Sequence, residues 1–143
     1  MNAAVRNEER WSGMFWQRGT LTPEQADLVF RFLPVDLSVA DENDVLVYWK
    51  GATYKTCDAR YIGRDVRDCH PESSLECLEE ILSQFKAGAK DVAEGWEQEG
   101  ERVKRTRYFA LRDAGGAYRG VVEVAQDVTG IRALQGQRRL LDW

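Results

Sequence analysis

Residues 102–128, "RVKRTRYFALRDAGGAYRGVVEVAQDV", decide the fold of this 143-residue chain. Two strand-like runs flank Ala114-Gly115-Gly116-Ala117, and a glycine pair between such runs reads as a hairpin turn. Successive strand residues point to opposite faces, so Val121, Glu123 and Ala125 share one face while Val122, Val124 and Gln126 share the other. A carboxylate on a covered face must be paired, or its pKa rises. Arg105 and Arg107 alternate on one face of the preceding strand and are the expected partners of Glu123. Should that face lie in solvent, the same pair is an ordinary cross-strand salt bridge worth under about 1 kcal/mol.

Working outward, "DVAEGWEQ" (91–98) adds a third strand ahead of the hairpin. Before it, "PESSLECLEEILSQFKAG" (71–88) is a strong amphipathic helix. Leu75, Leu78, Ile81, Leu82 and Phe85 share one face, and Gly88 stands where a C-terminal cap belongs. Ser73 and Glu76 offer a capping box just inside its start. "LTPEQADLVFRFLP" (21–34) is a helix with both ends written out: Thr22 and Gln25 form a capping box, Pro23 suits the first turn, and Pro34 stops it. "VDLSVAD" and "ENDVLVYWK" (35–50) follow as a hairpin turned at Glu42-Asn43-Asp44. Residues 50–70 break into short helical turns, and "GIRALQGQRRLLDW" (130–143) closes the chain as a short polar helix. Strands segregated from helices in this way specify an α+β fold, an antiparallel sheet covered on one face.

Composition excludes several classes. A formal net charge of −4 and scattered Lys and Arg leave no basic face for nucleic acid. No run of about 18 apolar residues could span a membrane, and no secretory leader opens the chain. Three cysteines at irregular spacing imply free thiols in a reducing, cytoplasmic setting. A single histidine is too few for the multi-histidine metal hydrolases, and no phosphate-binding loop or nucleophile elbow occurs, so no enzyme is expected.

That histidine lies in "RDVRDCHPESS" (64–74), directly after Cys69 and before Pro71. Read structurally, Pro71 sets the entry of the long helix and His70 hydrogen-bonds a neighbouring backbone group. Read functionally, His70 is an axial haem ligand, or Cys69 is a thiolate ligand or redox sensor. Cys57 and Cys77 read as small core fillers.

The element order, the opening hairpin "LPVDLSVADENDVLVYW", the junction "GRDVRDCHPESS" and the close "FALRDAGGAYRGVVEVAQDVTGIRAL" resemble a PAS domain. The longer stretch "IGRDVRDCHPESSLECLEEILSQFKAGAKDVAEGW", with the ending "RLLDW", is similar to the C-terminal PAS domains of DUF438 proteins, which often accompany a hemerythrin-like domain. The resemblance covers residues 19–143. It leaves residues 1–20 as an N-terminal extension ahead of a PAS domain over 21–143, with no partner domain in the chain.

The resemblance implies a five-stranded antiparallel sheet with short helices and one long helix on one face. It implies a cytoplasmic sensory or regulatory module that binds a small ligand, signals through homodimer packing and acts on a signalling partner protein. Haem sensors of this kind usually carry their histidine on the long helix, which here has none, and a flavin photoreceptor context is missing around Cys69. By likeness to flavin-binding members, Glu123 faces the pocket. Trp49, Phe85, Trp96 and Phe109 are then its expected apolar wall, around a cavity of a few hundred Å³. Two alternatives stand beside this reading: a haem or redox sensor built on His70 or Cys69, and a ligand-free dimerisation module. Trp11, Met14, Phe15 and Trp16 are expected to dock on the domain or on a second copy.

Overall fold

The computed structural model describes residues 19–51 and 58–141. The expectations for Trp11, Met14, Phe15, Trp16 and Cys57 lie outside these residues. The chain divides into two compact units, residues 1–33 and 34–143.

In the first unit, α1 (Pro23–Phe32) begins as its sequence predicts. Thr22 Oγ1 accepts from the Gln25 amide at 3.1 Å and Gln25 Oε1 accepts from the Thr22 amide at 2.9 Å, closing the capping box. Leu28, Val29, Phe32 and Leu33 are all exposed.

The second unit holds β1 (Asp36–Asp41), β2 (Leu46–Lys50), 3-10 turns at Ala59–Tyr61 and Val66–Cys69, and α2 (Glu72–Lys86). Then come β3 (Val92–Glu99), β4 (Arg102–Arg112), β5 (Tyr118–Asp127) and the single-turn α3 (Thr129–Arg132). The five strands form one sheet in the order β2-β1-β5-β4-β3, with every pairing antiparallel. This is the expected α+β architecture. Leu78, Leu82 and Phe85 of α2 pack on Ala40, Ala110 and Val121 of the sheet, so even-numbered residues of β1 and β4 and odd-numbered residues of β5 face the helix. Among the described residues no helix is long and apolar enough to cross a membrane.

Three local expectations need correction. Pro71, not Ser73, caps α2, and it carries no side-chain cap bond. Ser74 Oγ instead donates back to the Pro71 carbonyl. The chain after β5 makes only the turn of α3, and Gly136 adopts φ 62°, a left-handed geometry that interrupts a helix. Cys69 is disulfide-bonded, against the expectation of free thiols, whereas Cys77 is free but exposed rather than a core filler.

One irregularity governs the site. From Lys104 to Leu111, β4 pairs with β5 in a constant register, but Arg112 pairs with Tyr118, which leaves Arg119 as an extra residue in β5. Beside it Gly120 adopts φ 143°, and a Cβ there would lie 2.1 Å from the Ala40 carbonyl oxygen. Only glycine fits where β5 and β1 approach this closely.

Candidate functional site

The register sets one row of side chains across the helix-covered face: Trp49 on β2, Ser38 on β1, Glu123 on β5, Tyr108 on β4 and Ala93 on β3. Glu123 is 8% exposed. With Ser38, His70 and Tyr108 it provides the polar part of a cavity whose remaining walls are Ala40, Leu46, Val66, Leu78 and Val121. The volume is about 20 Å³, room for one water-sized group.

His70 reaches this cavity from the end of the Val66–Cys69 turn. Asp65 starts that turn by accepting from the Arg67 amide at 2.9 Å. His70 Nδ1 lies 2.8 Å from the Val66 carbonyl oxygen, the backbone hydrogen bond expected of it. A carbonyl only accepts, so Nδ1 carries the proton and a neutral ring presents Nε2 as an acceptor. Among the described residues Nε2 has no hydrogen-bond partner, and it stands 4.0 Å from Glu123 Oε2.

The turn is pinned from outside. Asp44, buried at 5% exposure at the tip of the first hairpin, accepts through Oδ2 from Lys86 Nζ at 2.7 Å and Arg67 Nη1 at 3.1 Å. Arg67 also pairs with Glu79 on α2. Hairpin, 3-10 turn and long helix are thereby joined one turn of chain away from His70.

Burial pushes the Glu123 carboxyl above its ordinary range, opposed by His70, the Tyr108 hydroxyl and Lys104. Burial first, and then the Glu123 charge, push the Tyr108 phenol well above its ordinary range, so it stays a neutral hydroxyl. The site concentrates polar groups in an apolar enclosure and leaves an acceptor unsatisfied, an arrangement suited to recognising a small ligand.

The expected site residues separate into two groups. Glu123 and His70 come together. Trp49 shares their row and packs against the core, while Phe85, at 1% exposure, is core itself. Trp96 and Phe109 pair with Arg105 and Val92 on the opposite face, and Trp96 is 70% exposed. Arg105 and Arg107 are on that face too, which corrects their pairing with Glu123. Arg105 binds Glu94 at 2.6 Å, and Arg107 lies over the Phe109 ring. The cavity is also far smaller than expected, because Leu46, Val66 and Leu78 fill the concavity.

This volume does not fit a haem, whose macrocycle is many times larger, and the free imidazole nitrogen faces a carboxylate. Ser38 and Tyr108 were missed. Ser38 occupies a polar position of an alternating strand whose apolar residues, Leu37 and Val39, face the other way. Tyr108 would have been found by counting back from the hairpin with one residue added to β5.

Residues 27–129 match the family described as PAS domain. A C-terminal domain from Streptococcus mutans superposes with TM-score 0.76 at 26% identity, over 84% of this chain and 95% of that one. A PAS domain from Colwellia psychrerythraea gives TM-score 0.54 at 16% identity, over 75% and 97%. A sensory box sensor histidine kinase from Vibrio cholerae gives 0.53 at 11%, over 87% and 97%. No curated protein matches the chain.

Proposed function

Because the chain belongs to the PAS domain family, we propose that it is a cytoplasmic sensory module that binds a small ligand between His70, Glu123 and Tyr108 and passes the signal on through dimer packing to a partner protein. The observation that carries the ligand part is the buried, unpartnered Nε2 of His70 facing a buried carboxylate across the cavity. A core evolved only for packing would avoid leaving such a group unsatisfied. The ligand is small, or Leu78 and Val66 move to admit it. Exposed Leu28, Val29, Phe32 and Leu33 on α1 support the homodimer part, since an apolar stripe of this kind favours cover by a second copy. The role is regulatory rather than catalytic.

We place the module with the C-terminal PAS domains of DUF438 proteins. The stretch "IGRDVRDCHPESSLECLEEILSQFKAGAKDVAEGW" and the ending "RLLDW" support that placement.

Native mass spectrometry of the purified protein tests the ligand part. The expected result is a colourless protein carrying an added small mass that denaturation removes. An unadorned chain mass, with no thermal shift from any metabolite tried, would leave a packed interaction module. Light scattering tests the dimer, which deletion of residues 1–20 should abolish; a full-length monomer at high concentration would refute it.

A redox reading rests on one further observation. Cys69 is disulfide-bonded and its sulfur lies 3.6 Å from His70 Nδ1. If redox state is the input, reduction should shift the His70 imidazole resonances; unchanged resonances would dismiss it.

A further inference from the structure

We propose that the gap between His70 Nε2 and Glu123 is a site for the protonated head of a primary amine, ammonium or a short alkylammonium. The inference rests on the small-ligand reading above and names the chemistry of the ligand. Two acceptors face each other across the gap. His70 Nδ1 is committed as a donor to Val66 at 2.8 Å, so Nε2 offers a lone pair, and the Glu123 carboxylate offers the other. Their 4.0 Å separation is too long for a direct hydrogen bond. One donor atom about 2.8 Å from each would bridge them at an angle of roughly 90°.

Size and charge narrow the choice. A cavity of about 20 Å³ admits a head group of one heavy atom, and that atom must bring at least two hydrogens. The His70 side chain is 6% exposed, and among the described residues Nε2 has no other partner. Arg105 and Arg107 are on the far face and cannot neutralise Glu123. The groups that act on its carboxyl are His70, Tyr108 and Lys104. A monocation seated between Nε2 and the carboxylate balances the Glu123 charge at the gap itself. Ala40, Leu46, Val66, Leu78 and Val121 close the cavity around that head group, and a methyl or short alkyl tail enters only as Leu78 and Val66 move. An aprotic or anionic head would leave Nε2 bare and bring nothing to balance the Glu123 charge.

Without an amine the same place attracts a proton, since a protonated Glu123 carboxyl supplies the missing donor. Amine and proton therefore compete. The upward displacement of the Glu123 carboxyl by burial agrees with this competition.

The chain has one histidine, so ¹⁵N-labelled imidazole reports on the site without ambiguity. Titrations at constant ionic strength would use methylammonium chloride, with tetramethylammonium chloride and methanol as comparison probes. Methylammonium should give a saturable Nε2 shift at pH 8 and tetramethylammonium none. For two heavy atoms the affinity ceiling is a Kd of about 6 mM. Binding should weaken at least tenfold at pH 5 and at least tenfold in Glu123→Gln, whose fold circular dichroism checks. The wild-type pH comparison decides the matter if that variant does not fold. Saturable shifts from methanol but none from methylammonium would overturn the amine assignment and leave the small-ligand reading standing. Silence from every probe would also overturn the amine assignment, and the native mass then decides the small-ligand reading separately.

Discussion

Asp44→Ala should destabilise the fold by about 4–5 kcal/mol and loosen the segment that carries His70. Asp44 Oδ2 accepts two charge-assisted hydrogen bonds, from Lys86 at 2.7 Å and Arg67 at 3.1 Å. Such bonds are worth about 1.5–3 kcal/mol each in protected surroundings. Arg67 and Lys86 are 32% and 40% exposed at the side chain and rehydrate when released, so the lower end applies to each. Asp44 also has φ 64°, and alanine in that left-handed region costs about 1–2 kcal/mol more. Asparagine tolerates this backbone and keeps an oxygen for the cations, so Asp44→Asn should lose only about 1–2 kcal/mol.

Urea unfolding at pH 7 measures both variants, with the loss read from the midpoint at unchanged slope. For a domain of this size the alanine variant should also melt on the order of 10 °C lower. Amide exchange should quicken at His70 in both variants, more so in alanine. A loss below 1 kcal/mol in Asp44→Ala, or equal losses in the two variants, would refute the tether.

Gly120→Ala should cost more than about 3 kcal/mol, because φ 143° and a 2.1 Å approach to Ala40 oppose any Cβ, whereas Gly95→Ala meets open space and should change little. Comparable melting temperatures for the two would contradict the register described for β5. The raised carboxyl pKa of Glu123 fixes a sign: the folded state holds its proton at higher pH than the unfolded chain, so its contribution to stability is present below the unfolded value and fades as pH rises through the folded one. Glu123→Gln should remove that decline, and a wild-type-minus-variant difference that is flat from pH 4 to 8 would speak against it. Phe85→Ala should cost about 3–5 kcal/mol as a core truncation, while Trp96→Ala should stay within about 0.5 kcal/mol. The reverse order would return Trp96 to the interior.

What the sequence discloses and what it hides follow from range. The α1 capping box, the Gly88 terminus of α2 and the glycine turn of the last hairpin are written within a few neighbouring residues, and each is present. The partner of Glu123 depends on pairing between strands. An unbulged hairpin keeping the Arg112–Tyr118 register would set Arg107 opposite Glu123, whereas the extra Arg119 shifts the register and brings Tyr108 there. A one-residue slip exchanges the two faces, which is why arginines were expected where a phenol stands.

His70 shows the same limit in another form. Its hydrogen bond to Val66 is local and legible, but its approach to Glu123 depends on how the 3-10 turn is tied to Asp44 and α2. The cavity volume depends on Leu46, Val66 and Leu78 from three different elements, and no single stretch encodes it.

Entry of a small ligand into the cavity between His70 and Glu123 is what the proposed sensory role requires. The most direct test is the imidazole ¹⁵N spectrum of His70 in protein as purified, after unfolding and refolding to strip any ligand, and after the released extract is returned. The Nε2 resonance should move on stripping and return with the extract, while Glu123→Gln shows neither change. Identical spectra at all three stages, in protein that has refolded fully, would contradict it.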